Sequence, residues 1–110
     1  VAAAARRCAV RIKLFGKYWN LVRERVSRTK NGNCDPPAVS GKKIRVDPKL
    51  RGQLELEIYI HEMLHACDFH KDEPWVETTA NDITQVLWRL GYRKGPDGET
   101  PEETVGDPAA

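Results

Sequence analysis

The sequence predicts a small α+β domain in which an antiparallel β-hairpin and an edge strand precede two long packed helices. In residues 9–15, apolar and charged side chains alternate with the period of two that is typical of strands. From Asp47 onward, helix-opening signals precede apolar stripes with helical spacing. A length of 110 residues with 40% hydrophobic residues suits one core. We therefore expect one domain over residues 1–94 and a flexible acidic tail over residues 95–110.

The predicted hairpin occupies the N-terminal third. Between residues 9 and 15, three apolar side chains alternate with Arg11 and Lys13, which favours a half-buried strand. Gly16 and Lys17 then provide a turn, and residues 18–26 are rich in aromatic and β-branched side chains. A second strand, antiparallel to the first, is the simplest interpretation.

The following segment contains mostly turn-forming residues. Residues 27–41 concentrate Asn, Gly, Asp and Pro, and this composition is typical of a loop. Residues 42–46 then have the pattern of a short edge strand.

Two helix starts follow. Asp47 can cap the free amides of a helix, and Pro48 supplies a helical φ at its first position. Residues 54–60 alternate like a strand but also fit a helical stripe, and we interpret them as part of a first helix that ends near residues 67–69. A second start at Asp72 precedes an apolar stripe that ends at Gly91, a suitable C-terminal cap.

Charge is distributed unevenly along the chain. Residues 1–30 carry nine Lys or Arg and one Glu, whereas residues 61–110 carry four basic and eleven acidic residues. The basic third could face nucleic acid or form a solvated strand face, and both interpretations stay open.

The apolar runs and the cysteines of the sequence indicate in which cellular compartment we expect the protein. The longest apolar run is far too short to cross a membrane, so we expect no membrane association. The three cysteines, Cys8, Cys34 and Cys67, include no Cys-x-x-Cys pair, so we expect reduced thiols and a cytoplasmic location.

Residues 61–65 read His-Glu-Met-Leu-His, the strongest chemical signal in the chain. On a helix, residues four apart share a face, so His61 and His65 can direct ring nitrogens at one zinc ion about 2.0–2.1 Å from each. Glu62 projects about 100° around the helix, where its carboxylate can reach a water in the open metal position. The pattern predicts hydrolysis of a peptide substrate, with Glu62 as the catalytic base and one Zn²⁺ as cofactor.

A catalytic zinc needs a third protein ligand. Four downstream side chains compete for the role: Asp68, His70, Asp72 and Glu77. Asp68 lies about 10.5 Å beyond His61 along a helix axis, which is too far, and His70 can reach the ion only if the helix breaks directly after His65. Glu77 lies at the start of the second helix, which a short connection packs across the first. We therefore predict His61, His65 and Glu77 as the metal ligands.

Asn81 follows Glu77 by one helical turn and lies on the same face. Its carbonyl could accept the second ring N–H of a metal-bound histidine and fix the tautomer.

Together these residues resemble the gluzincin branch of the zincin metallopeptidases. The resemblance rests on His61-Glu62-x-x-His65 followed by Glu77-x-x-Ala80-Asn81, and it is closest to small ImmA/IrrE-type, SprT-like and minimal single-domain gluzincins. It implies a zincin-like fold, two histidines and a downstream Glu as zinc ligands, and an edge strand, residues 42–46, that pairs with the substrate. Some SprT-like members use a third histidine, which keeps His70 open as a ligand.

Two other functions remain as alternatives. The three histidines are loosely similar to the metal motif of YbeY-type endoribonucleases, whose RNA substrate would suit the basic third. A zinc-binding interaction module without turnover is the other alternative, because no oxyanion donor stands out in the sequence; His70 and Tyr92 are the available candidates.

Overall fold

The computed structural model describes residues 9–95 and confirms the α+β class. Residues 96–110 of the predicted tail, and Cys8, lie outside the described residues. Four strands precede two helices: β1 (Ala9–Leu14), β2 (Lys17–Arg23), β3 (Gly32–Cys34), β4 (Lys43–Val46), α1 (Gly52–Cys67) and α2 (Glu73–Arg89). Neither α1 nor α2 has the length and apolar character needed to cross a bilayer.

The predicted hairpin is present, with its turn one residue earlier than expected. β1 and β2 are antiparallel, and Leu14 pairs with Lys17 across a two-residue turn formed by Phe15 and Gly16. Both turn residues have positive φ, 49° and 79°, as a type I′ turn requires. Gly16 adopts this conformation without strain, whereas Phe15 occupies a position that Asn, Asp or Gly normally fills.

The sheet order is β1-β2-β4-β3, so the predicted edge strand at residues 42–46 lies inside the sheet. β4 is parallel to β2 and antiparallel to β3, and its Ile44 and Val46 are fully buried. The edge strand is β3, which comes from the segment predicted to be a loop. The sequence Gly-Asn-Cys is three residues long and has no apolar alternation, so its pairing depends on β4 rather than on local pattern.

The first helix starts later than Asp47. The Asp47 carboxylate accepts a hydrogen bond from the Lys49 amide at 2.9 Å, and the Asp47 carbonyl accepts one from the Leu50 amide at 3.2 Å. These bonds close a turn before the helix. α1 begins at Gly52, after an Arg51 N-cap whose side chain makes no capping bond.

The second helix starts and ends close to the predicted residues. Asp72 caps α2 by accepting a hydrogen bond from the Trp75 amide at 3.2 Å. Gly91 has φ 95° just beyond the helix end, a common way to terminate a helix. The buried residues of α2 recur every four positions, and this stripe packs against α1: Val76, Ala80 and Thr84.

α1 is the central layer, with the sheet on one side and α2 on the other. On the sheet side, Trp19, Ile44 and Ala66 form the buried core. β3 also crosses α1 very closely: a Cβ atom added at Gly32 would lie 2.9 Å from Ile58 Cγ2 and 3.2 Å from Glu62 Cγ. The same atom would lie 2.8 Å from the backbone oxygen of Arg45 on β4, so β4 and the helix that carries the histidine motif together exclude a side chain at residue 32.

A buried ion pair fixes the start of α1. Glu55 is 5% exposed, and its Oε2 lies 2.6 Å from Arg23 Nη1 and 3.1 Å from Lys94 Nζ. Arg23 also donates to the carbonyl of Pro48 at 2.9 Å. These contacts connect β2, the turn before α1, and the segment after α2.

Gly32→Ala is expected to lower the free energy of unfolding by about 1–3 kcal/mol, because the added methyl group overpacks the contact between β3 and α1. Urea denaturation measures the loss. The exposed Ser40→Ala serves as a control and should change stability by less than about 0.5 kcal/mol. Equal stability of the two variants would contradict the close approach of β3 to α1.

Candidate metal centre

His61 and His65 lie one turn apart on α1, and the first residue of α2 lies against both of them. Glu73 Oε2 is 2.9 Å from His61 Nε2, and Glu73 Oε1 is 3.0 Å from His65 Nε2. The two imidazole rings have centroids 5.0 Å apart. One carboxylate thus spans both histidine side chains.

Among the described residues, these three side chains form the one group of His, Cys, Asp or Glu compact enough to hold a metal ion. One ligand atom from each of His61, His65 and Glu73 lies within 4.8 Å of the others. Two imidazoles and a carboxylate are the donor set of several catalytic zinc sites. In a tetrahedral site with bonds of about 2.0–2.1 Å, two ligand atoms are roughly 3.3 Å apart. The Glu73 contacts are a few tenths of an ångström shorter, so the group fits a zinc ion after a small opening.

The surroundings of the three side chains make the site accessible from one side. The side chains of His61 and His65 are 13% and 17% exposed, whereas that of Glu73 is 59% exposed. The histidines are therefore held in place by the fold. The open side of the site faces solvent at the start of α2.

Glu62 projects from α1 toward β3, where it is 7% exposed. The pKa of Glu62 is raised to about 7, chiefly by burial and next by the neighbouring Glu73 carboxylate, against an opposing effect of Lys30. A carboxyl group with a pKa near neutrality can both accept and donate a proton at physiological pH. The same residue lies directly under Gly32 of the edge strand.

Cys34 lies on the same strand, close to this carboxylate. Burial raises the pKa of the Cys34 thiol to about 12, and the Glu62 carboxylate is the next largest cause. The thiol donates to the Asp35 carbonyl at 3.4 Å. Cys34 is a half-buried free thiol that lies outside the group of His61, His65 and Glu73.

The structure separates Glu77 from the histidine group. Glu77 is exposed on α2, one turn or about 6 Å along the axis beyond Glu73, and it is not among the three clustered side chains. Glu73 lies between the capping Asp72 and Pro74, where the sequence pattern indicates a helix start and not a metal ligand. The five-residue connection, residues 68–72, was the available signal, since so short a link places the first residue of α2 beside the last turns of α1.

The other sequence candidates lie outside this group. Asp68 is the C-cap of α1, and Asp72 is the N-cap of α2. His70 is exposed and packs edge-to-face on Phe69. None of the three joins the described metal-binding cluster.

Asn81 and Tyr92 also lie elsewhere. The Asn81 amide donates to Glu57 Oε1 at 3.3 Å, and its carbonyl accepts from Gln85 at 2.6 Å. Tyr92 is 63% exposed and lines a cavity of about 1040 Å³ near the start of α1, together with Arg23 and Trp88. Neither residue supplies a contact to the histidines in the described structure.

In metal-free protein, Glu62→Gln should raise stability above neutral pH. The folded-state pKa lies above the ordinary value of 4.5, so the stabilising contribution of neutral Glu62 is complete below about pH 4.5 and is lost as the pH rises through about 7. The variant should exceed wild type by about 2–3 kcal/mol at pH 8 and match it near pH 4.5.

Urea denaturation in the presence of a chelator measures this difference at both pH values. Glu77→Gln removes an exposed carboxylate and should change stability by less than about 0.5 kcal/mol at either pH. A constant difference between Glu62→Gln and wild type across the pH range would contradict the burial of an ionisable carboxyl at this position.

No protein-family model, curated protein or solved structure matches this chain.

Proposed function

We propose that this protein is a zinc-dependent metallopeptidase with His61, His65 and Glu73 as its metal ligands. The observation that carries the proposal is the Glu73 carboxylate, which lies 2.9 and 3.0 Å from the two Nε2 atoms of the histidine motif. Two separate helices supply these groups, so their meeting is a property of the fold. Glu73 replaces Glu77 in this assignment because it is the carboxylate that contacts the histidines.

Zinc at this position would polarise the substrate carbonyl and lower the pKa of a water molecule. Glu62 is the base in this proposal: its carboxylate takes a proton from the attacking water and delivers it to the leaving amine. The buried position of Glu62 beneath β3 excludes bulk water from this carboxylate.

The edge of β3 is the proposed binding site for the peptide substrate. The Asn31 carbonyl and the Asp35 amide bond inward to β4. Because backbone groups alternate in direction along an antiparallel strand, those of Gly32 and Cys34 point to the other edge. Among the described residues no strand pairs with that edge. An extended peptide can add there as a further strand, next to Glu62.

The metal assignment predicts different behaviour for two glutamates on one helix. Purified wild-type protein should bind about one zinc per chain. Glu73→Ala should lower zinc affinity at least about 100-fold because it removes one of three ligands. Glu77→Ala, the matched control one turn along α2, should change zinc affinity by less than about tenfold.

Competition with a chromophoric chelator measures both affinities. Loss of zinc in Glu77→Ala with retention in Glu73→Ala would overturn the assignment and restore the ligand set expected from sequence. Loss of zinc in His70→Ala alone would favour a three-histidine site.

The catalytic assignment predicts that Glu62→Gln keeps zinc and loses peptide cleavage by about 100-fold or more, because the proton acceptor is removed while the ligands remain. Cleavage of an unstructured protein such as casein, followed by mass spectrometry, measures the change. Glu57→Gln on the same helix is the matched control and should retain activity. Unchanged cleavage by Glu62→Gln would contradict the mechanism.

A further inference from the structure

The outer face of the sheet carries basic and aromatic side chains that the metal centre does not use. Ile12 and Leu14 pack toward the core, so the alternating Arg11 and Lys13 face away from α1 and α2. Lys17 pairs with the core-facing Leu14 and Lys42 lies over the ring of Trp19, so these two cations border the outer face at its hairpin end, where they line one cavity with Arg11. We call these four cations the basic patch: Arg11, Lys13, Lys17 and Lys42.

The basic patch has no compensating carboxylate. β1 and β2 contain no acidic residue, and within the described residues no Asp or Glu lies within 4.0 Å of any of the four cations. By contrast, Arg45 on β4 is paired with both Glu24 and Asp35. The patch is therefore a site of positive charge that folding leaves available to an anionic partner.

Two exposed aromatic side chains accompany these charges. Tyr18 is 51% exposed and has the Arg11 guanidinium 4.4 Å from its ring centroid. Phe15, at the tip of the hairpin, is 82% exposed with φ 49°. Neither packing nor backbone preference explains a phenylalanine there, because the turn favours Asn or Gly and the side chain buries almost no surface. Its ring is available to a ligand.

A cavity lies beside the patch. Its volume is about 530 Å³, and its lining includes Arg11, Lys17, Lys42, Asn20 and Ser40. Trp19 also contributes to the lining, and its buried indole N–H has no hydrogen-bond partner in the described structure. The surface thus combines cations, hydrogen-bond donors and ring faces.

We propose that the basic patch, with Phe15 and Tyr18, binds single-stranded nucleic acid. Cations that track phosphates and aromatic rings that stack on unpaired bases are the two components of such sites. A duplex hides its base faces and would leave Phe15 without a partner. A lipid surface would require a larger apolar area than a single phenylalanine to anchor the protein. None of these residues belongs to the His61, His65 and Glu73 group, so occupation of this surface does not depend on the metal centre.

Fluorescence anisotropy with a labelled oligothymidylate of about 12 nucleotides tests the proposal on the full chain. Binding should weaken with salt, with a slope of log K against log salt near −3, because each phosphate contacted in a single strand contributes about −0.7. Lys13→Glu should lower affinity at least about tenfold. Arg89→Glu, which makes the same charge change on α2, should lower it less than about threefold. Equal losses in the two variants would overturn the location of the site.

Phe15→Asn separates binding from folding. Asn suits the type I′ turn, so the thermal unfolding midpoint should rise by about 2–5 °C. The affinity for the oligothymidylate should fall about tenfold, because a stacking ring is lost. Phe15→Trp should retain the wild-type affinity. Unchanged affinity in Phe15→Asn, or loss of binding in Phe15→Trp, would overturn the role of this ring.

Two further probes test the class of partner. Duplex DNA of the same length and an acidic polyglutamate peptide should each bind at least about tenfold more weakly than the single strand. Comparable binding of either probe would show that charge alone is recognised and would overturn the proposal. Binding to phosphatidylserine vesicles without binding to the oligothymidylate would assign the surface to a membrane instead.

Discussion

The enclosure of α1 between the sheet and α2 is the constraint on which the candidate metal centre depends. Successive residues on a helix point about 100° apart, so adjacent side chains of α1 reach different layers. Glu62 meets β3, whereas His61 and His65 meet the start of α2. The positions of the candidate base and of the candidate ligands therefore depend on two different neighbouring layers. The close approach of β3 at Gly32 and the short link to α2 bring these two layers against α1.

The electrostatics of this arrangement favour a bound cation. Glu62 is buried near Glu73, and both burial and the second carboxylate disfavour its ionised form. The rings of His61 and His65 border the same site, each in contact with Glu73. A divalent ion would reverse the balance by stabilising nearby negative charge. The closeness of these two carboxylates is the electrostatic feature that supports the proposed metal centre.

The sequence predicted those elements whose information is local. The hairpin alternation and the Asp72 cap of α2 depend on neighbouring residues, and both predictions were confirmed. The start of α1 was wrong because Asp47 closes a turn with its own side chain, a use of Asp that competes with helix capping. The pattern at residues 54–60 is ambiguous for another reason, which is the packing of α1. α1 is enclosed on two sides, so its apolar residues do not form a single stripe.

The errors in the sheet and the separation of Glu77 from the histidine group have a different origin, because they depend on tertiary contacts. β3 is a strand only through its pairing with β4, and nothing in Gly-Asn-Cys indicates that partner. Whether Glu73 or Glu77 lies beside the histidines depends on the position of α2 along the axis of α1. The helical period does not specify this position. The fold class and the histidine motif were therefore readable from sequence, while the packed structure was needed to show that Glu73 contacts the histidines and that β3 lies at an edge of the sheet.

Phe15 shows how a departure from local preference can indicate function. A turn residue is selected by backbone conformation, and here the conformation disfavours the residue that is present. The ring gains almost no burial in return, so folding alone would favour its replacement. The same segment places uncompensated cations on both sides of the turn, at Lys13 and Lys17. Because strain and charge repulsion both act against folding at one hairpin, a ligand that uses the ring and the charges together accounts for both features, at a hairpin whose residues take no part in the candidate metal centre.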